Sequence, residues 1–352
     1  MNPIKNKKQA AILKKIGLGA LSLVLFLLCS GALYVTKLAS LPQTLPPEQG
    51  NIAEVTNANI EKVTEEVMDD YWTVALFGVD SRNDNLGAGS NADSQMILTI
   101  NKANGEIRAA SVYRDTFLMT DINGEECAKI NSAYMTGGPL QNVVALNTNL
   151  DLEISDYISF SWKGAADAVN LLGGIDLELS EAEWSYINSF ITETVDITGI
   201  PSAHIENPGK NHLDGVQTVA YCRLRLMDSD FKRTERQRKV LELVLEKVKE
   251  EDLETLLQMM ETVLPQVSTS INLEDITMMA KNAKDYRLAG TMGFPGKYEE
   301  ARLGRRGACL IPNTLESNVT ELHRFLYRDE QYQCSVKVKE IGKEILKQAV
   351  KN

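Results

Sequence analysis

Histidine is scarce in this 352-residue chain. There are three, His204, His212 and His323, none in zinc-ligand spacing, which argues against a histidine-built zinc hydrolase. Neither a G-x-S-x-G elbow nor a P-loop occurs, so two further hydrolase classes fall away. The glycine-rich GAGSNADS precedes a strand pattern instead of opening a helix, and is therefore no dinucleotide fingerprint. Positive charge is also short: 37 Lys+Arg stand against 48 Asp+Glu, a formal net of -11. Nucleic acids are held by broad positive surfaces, so they are excluded as bulk partners. Internal repeats and low-complexity tracts are lacking. Of five cysteines, four (Cys127, Cys222, Cys309, Cys334) lie beyond the N-terminal apolar run. They allow three full pairings. A Cys309–Cys334 bridge is the favoured pairing, with buried unpaired thiols as the other reading.

What is present begins with topology. MNPIKNKKQAAILKK carries five lysines and no acid, and IGLGALSLVLFLLCSGALYV then runs uncharged from Ile16 to Val35. A helix of about 20 residues spans about 30 Å, one bilayer core. The run is longer than a cleaved signal core and lacks a small-residue cleavage site, so it reads as a signal anchor. The lysine flank stays cytoplasmic and the remainder is exported. Expected divisions are a cytoplasmic tail (1–15), an anchor (16–37), a stalk (38–70), a catalytic domain (71–258) and a C-terminal extension packed on it (259–352).

Within the exported part, YWTVALFGVD is a nearly continuous apolar run closed by Asp80, the pattern of a buried central strand. MILTIN, the turn NKANG and IRAASVYR predict a hairpin. Pro139 after Gly137-Gly138 marks a helix opening. YISFSW reads as a strand, KGAADAVNLLGG as a helix stopped by paired glycines, and IDLELS as a strand. Residues 184–212 show no strong period and read as an excursion or lid. A long helix is expected from about Arg233 to Leu257, then short elements and a terminal amphipathic helix. Alternating strands and helices predict an α/β domain, a mixed central sheet with helices on both faces, behind one N-terminal transmembrane helix.

The chemistry-bearing residues gather at strand ends, where α/β sheets bind ligands. Asp80 and Arg82 end the first strand, Asp93 precedes the second, and Arg114-Asp115 ends the hairpin. Two carboxylates there suit a hard cation with phosphate ligands; taken singly, each also reads as a turn cap. Farther on, YCRLRLMDSDFKRTERQRKVL holds five arginines. The stripe Val240, Leu241, Val244, Leu245 and Val248 repeats at helical spacing. Carried backward, it reaches Gln237 and Arg233, which therefore face inward at a helix N-terminus. Arg236 and Arg238 fall on other, solvated faces. Thr234 and Gln237 also fit a capping box. Arg223 and Arg225 alternate as in an extended segment and point to one side. Together these predict a pyrophosphate cradle, the alternative being an ion-pair network with Asp228, Asp230 and Glu235.

FGVDSR, ADSQMILTIN, SVYRDT, KINSAYMTGGP, LLGGIDLEL, LDGVQTVAYCRLR and DFKRTERQRKVL follow in that order over about residues 72–250. Their number, order and spacing closely resemble the LytR-CpsA-Psr family. The resemblance implies a membrane-anchored extracellular phosphotransferase of Gram-positive envelopes. Such an enzyme moves an anionic glycopolymer of teichoic-acid or capsular type from a polyprenyl-pyrophosphate carrier to peptidoglycan, usually the C6 hydroxyl of N-acetylmuramic acid. It further implies Mg²⁺ (or Mn²⁺) held by Asp80 and Asp93, catalysis by these with Arg114, and pyrophosphate bound by Arg82, Arg114, Arg223, Arg225, Arg233 and Gln237. An apolar tunnel for the lipid tail is implied too. Asn91 and Leu118 stand where many members carry arginine. Two rival readings share the arginines: an anchored, non-catalytic receptor for anionic lipid or glycan, and a lipid-pyrophosphate hydrolase.

Overall fold

In β1 (Tyr71–Asp80) successive side chains go to opposite faces of the sheet. Ala75, Phe77 and Val79 enter one apolar core, while Leu76, Gly78 and Asp80 line a cavity on the other side. Both faces are covered, which is why the strand reads as an unbroken apolar run. The structure, a computed structural model, describes residues 40–42, 60–81, 85–121, 126–225 and 230–350. The expected cytoplasmic tail, the anchor at 16–37 and most of the stalk lie outside the described residues. Among those described, no helix is long and apolar enough to cross a membrane. All elements below belong to the unit Pro42–Asn352.

A helix, α1 (Lys62–Met68), precedes β1. The hairpin of β2 (Asn91–Asn101) and β3 (Glu106–Val112) pairs antiparallel with β1 through β2. A small hairpin, β4 (Phe117–Met119) with β5 (Cys127–Lys129), leads to α2 (Asn131–Leu150). Gly137 and Gly138 leave helical geometry there, and Pro139 restarts it. Then β6 (Asp156–Ser161) pairs parallel with β1, and α3 (Trp162–Leu171) ends at Gly173 and Gly174, both at positive φ. The sheet order is β10-β3-β2-β1-β6-β9, with β9 (Val267–Thr269) and β10 (Arg287–Phe294) as its edges. Chain beyond residue 258 thus supplies both edge strands. The C-terminal ends of β1, β3 and β6 meet at one edge, as sheets that bind ligands beyond strand ends require.

The expected strand at Ile175–Leu179 forms as β7, but it pairs with β8 (Gly209–Leu213) outside the central sheet. Between them, residues expected to lack a period form α4 (Glu181–Thr198), whose buried stripe is Ile187, Phe190, Ile191, Thr194 and Thr198. Two threonines hide that stripe from a hydrophobic reading. Inside, each hydroxyl donates to the carbonyl four residues back, Thr194 to Phe190 at 2.7 Å and Thr198 to Thr194 at 2.7 Å. Both are therefore satisfied where they are buried.

The long helix α6 (Asp230–Glu250) follows α5 (Gly215–Arg223). It stops at 250 because Asp252 caps a separate helix, α7 (Leu253–Val263), by accepting from Thr255 N at 2.8 Å. Next come α8 (Leu273–Lys281), the hairpin of β11 (Tyr298–Leu303) with β12 (Gly307–Pro312), and α9 (Leu315–Tyr327) and α10 (Val336–Val350). One core joins α2, α9 and α10 to the sheet, and a second joins α3, α4, α5 and α6. The expected Cys309–Cys334 bridge does not form: Cys127, Cys222, Cys309 and Cys334 are all free. Cys309 Sγ lies 3.7 Å from Gly307 O, whereas Cys334 Sγ faces Glu316 O at 3.3 Å. The cysteines are committed to different neighbours.

The C-terminal segment is tied down by a buried polar knot. Asp151, at φ 51° where α2 ends, accepts from Tyr332 Oη at 2.7 Å, Ser335 N at 2.8 Å and Ser335 Oγ at 2.7 Å. His323 stacks on Tyr332 at 3.7 Å and bonds Leu150 O through Nε2 at 2.9 Å. It is wholly buried, and burial pushes its pKa down from 6.5 to about 4. A histidine kept neutral by folding takes up its proton first in the unfolded chain. Its contribution is therefore intact above pH 6.5 and is lost as pH falls toward 4. Between pH 7 and pH 5 it should cost about 2 kcal/mol of stability. Denaturant titrations at both pH values should show this loss, and His323→Phe should shrink it. An equal loss in the variant would assign the pH dependence elsewhere.

Candidate functional site

A cavity of ≈ 590 Å³ opens where β1, β2 and β6 meet α3, α5 and α6. Its walls are apolar: Leu76, Met96, Ile158, Phe160, Val169, Val219, Val240, Leu241 and Val244 line it. Its mouth is not. Asp80, Asp93, Ser94, Glu193, Arg223, Arg225, Arg233 and Gln237 stand there. The α6 stripe runs as its spacing predicts, with Arg233 and Gln237 on the same side as Val240, Leu241 and Val244. Arg82 lies outside the described residues.

The position of Asp93 depends on a β-bulge. Gly78 pairs with Ser94 and Val79 with Ala92, so Asp93 is the extra residue of β2. Strict alternation would turn Asp93 away from Ser94; a bulge re-aims it. Asp80 and Asp93 consequently share one mouth. Gly78 helps, since a Cβ there would come within 3.0 Å of Ser94 Cβ. Ser94 Oγ in turn donates to Gln237 Oε1 at 3.0 Å, and Gln237 Nε2 donates to Cys222 O at 3.3 Å. These two bonds fix the Gln237 amide. The expected capping box does not form, because α6 begins at Asp230 and leaves Thr234 and Gln237 within the helix.

The arginines arrive from three elements. Arg114, just past β3, donates Nη1–H to Asp93 Oδ1 at 2.9 Å. Arg233 donates Nη2–H to Asp93 O at 3.0 Å and pairs with Asp230 Oδ1 at 2.5 Å. Arg223 and Arg225 do not alternate along an extended segment: Arg223 is the last residue of α5. Both still reach the mouth. Arg223 lies 3.5 Å over the Trp162 ring, donates to Thr194 Oγ1 at 2.8 Å and pairs with Glu193 at 3.0 Å. Burial lowers the pKa of both Arg223 and Arg233, opposed by Glu193 and Asp230 respectively. Burial likewise raises the Asp230 carboxyl, against the pull of Arg233 and Arg114.

Two arginines expected on solvated faces are buried instead. Arg236 donates Nε–H to Glu183 Oε1 at 2.9 Å and Nη1–H to Leu224 O at 3.0 Å. Arg238 is 6% exposed and donates to Thr234 Oγ1 at 3.2 Å. Helix α6 packs against β7 and β10, elements distant in sequence. Asn91, at an arginine position of the family, pairs across from Asp80 and is exposed. Leu118, at the other, is wholly buried in β4, where an arginine would have no solvent. Trp162, Phe190 and Glu193 were not singled out by sequence, whereas Asp230, named there in the ion-pair alternative, does pair with Arg233; Asp228 lies outside the described residues. For Trp162, its place at the close of the YISFSW strand pattern was the available signal.

Among the described residues, Arg114 pairs with Asp93, Lys129 with Asp115, Arg223 with Glu193 and Arg233 with Asp230. Asp80 and Asp93 offer oxygen donors alone, the set a hard divalent cation takes when phosphates complete its shell. Among the described residues no three His, Cys, Asp or Glu groups converge to hold a metal without help. The residues fit a cation that comes with its substrate.

Comparison with known proteins bears on the family and the fold. A family model, the LytR_cpsA_psr family, matches residues 46–296. The polyisoprenyl-teichoic acid–peptidoglycan teichoic acid transferase TagU of Bacillus cereus (strain AH820) is 30% identical over 279 residues, covering 77% of this chain and 84% of that protein. Among solved structures, B. subtilis TagV aligns with a TM-score of 0.58 at 21% identity, over 73% of this chain and 97% of that one. TagT bound to LIIa-WTA aligns with a TM-score of 0.56 at 18% identity, over 81% and 92%. At such identities the structural likeness carries the fold.

Proposed function

The chain belongs to the LytR-CpsA-Psr family, and from that premise we propose that it transfers an anionic glycopolymer, of teichoic-acid or capsular type, from a polyprenyl-diphosphate carrier to a peptidoglycan hydroxyl. The observation carrying the reading is the amphiphilic cavity, an apolar interior of ≈ 590 Å³ whose mouth holds arginines and paired carboxylates. A long hydrocarbon with a diphosphate head has that polarity. The relative TagU is named for teichoic acid transfer to peptidoglycan, which agrees with it.

Arg223, Arg225, Arg233, Gln237 and Arg114, with Arg82, grip the diphosphate. The acceptor oxygen attacks the glycan-bearing phosphorus, the bond to the bridging oxygen breaks, and lipid phosphate leaves. A carboxylate at the mouth, Asp80 or Asp93, takes the hydroxyl proton. Arginines aimed at the leaving phosphate neutralise its growing charge. Asp80 and Asp93 would hold Mg²⁺, or Mn²⁺, which supplies further charge neutralisation. Residues 16–37 anchor the chain, with the catalytic part outside the cell.

To test this, the full-length chain in detergent is incubated with Mg²⁺, a synthetic lipid-diphosphate saccharide and peptidoglycan fragments, and products are identified by mass spectrometry. A glycan–phosphate–peptidoglycan adduct plus lipid phosphate is expected. Lipid phosphate released without acceptor would make the protein a hydrolase. Binding without turnover would make it a receptor.

A further inference from the structure

Asp230 opens α6 without forming part of the cavity wall. Its Oδ1 lies 2.5 Å from Arg233 Nη2 and 4.0 Å from Arg114 Nε. One carboxylate thus lies against guanidiniums from different elements: Arg233, which lines the cavity, and Arg114, which is bonded to Asp93 of that lining. Arg114 is drawn the other way by Asp93 at 2.9 Å and by Asp115 at 3.7 Å. Among the described residues, the buried atoms Asp230 Oδ2, Arg114 Nε and Arg233 Nε have no hydrogen-bond partner. A native structure that keeps such atoms together calls for a reason beyond packing.

The two arginines already face the carboxylates of Asp93, Asp115 and Asp230, so an arriving phosphate must displace one of these contacts. A bound phosphate and the Asp230 carboxylate would compete for them, since guanidinium forks suit either. The competition matters most after transfer, when the lipid product keeps a phosphate of similar charge in the same cradle.

We propose that Asp230 is the cradle's own counter-anion, a positioning residue that holds Arg114 and Arg233 when no phosphate is bound and reclaims them as the lipid phosphate leaves. This rests on the transfer reading above, but its first test does not.

Asp230→Asn keeps the shape, and asparagine starts helices about as well as aspartate, so the variant should fold. Calorimetry with farnesyl monophosphate and the full-length chain should show binding tightened about tenfold, equivalent to about 1.4 kcal/mol. Asp230→Glu should return it toward the wild-type value. In transfer assays the single-turnover rate should change less than about threefold, while steady-state kcat falls about 5- to 10-fold as release becomes limiting. Weaker or unchanged monophosphate binding in Asp230→Asn would overturn the proposal, as would single-turnover and steady-state rates that fall together. If neither protein transfers glycan but the binding shift appears, the counter-anion role stands and the transfer reading fails.

Discussion

Asp93→Asn is expected to lower glycopolymer transfer by about 10²–10³-fold, the usual cost of removing one group that stabilises transition-state charge. The bulge gives Asp93 two tasks. Its carboxylate accepts from Arg114 at 2.9 Å, and its backbone carbonyl accepts from Arg233 at 3.0 Å. Asparagine retains the second and loses the charge of the first. It also weakens the pair that would hold a divalent cation, so the remaining activity should need more Mg²⁺ for half-maximal rate. Stability should change by less than about 1 kcal/mol, because the side chain is 28% exposed and partly solvated. Transfer rates over a Mg²⁺ titration, with circular dichroism of both proteins, check this. An undiminished rate in the variant and in chelator would remove the carboxylate pair from the mechanism and favour a receptor.

The second large effect falls on stability. Arg236→Ala is expected to destabilise the fold by about 3 kcal/mol, the lower end for breaking a buried ion pair. Glu183 would be stranded at 15% side-chain exposure. Burial alone would raise its carboxyl, but bonds from Ser180 and Arg236 outweigh that and hold its pKa below the usual value. The same carboxylate caps α4 through Ser180 N at 3.0 Å, which is why the lower end is expected. Arg236 also carries the Leu224 carbonyl, so its loss loosens the segment leading to Arg225. Urea unfolding should show the drop, and Arg236→Met with Glu183→Gln should recover part of it by removing the stranded charge. A cost under about 0.5 kcal/mol would return Arg236 to a solvated face.

Much of the site was legible in the sequence because local rules govern it. Acids and arginines at the ends of apolar runs were placed by strand periodicity. The inward turn of Arg233 and Gln237 followed from a 3.6-residue stripe that continues through Val240 and Val244. Hairpin, paired-glycine stop and central strand were read the same way, from patterns that need no distant partner. Arg236 and Arg238 show where such rules stop. A helical wheel separates faces, yet whether a face meets water depends on packing against elements far away in the chain, β7 and β10 among them.

Local pattern by itself determined the central strand, the β2–β3 hairpin, β6, α3 and β7 in their order, the apolar stripe of α6 and the strand-end position of Asp80. Tertiary structure decided the rest. The extra residue in β2 turns Asp93 to the mouth, a matter of register between two strands, and register is set by pairing rather than by composition. Burial of Thr194 and Thr198 became acceptable only once their hydroxyls found helix carbonyls. Free thiols at Cys309 and Cys334, and sheet edges built from residues beyond 264, likewise follow from long-range packing. Side-chain pattern fixes which face of an element is apolar; only the assembled fold fixes what each face meets.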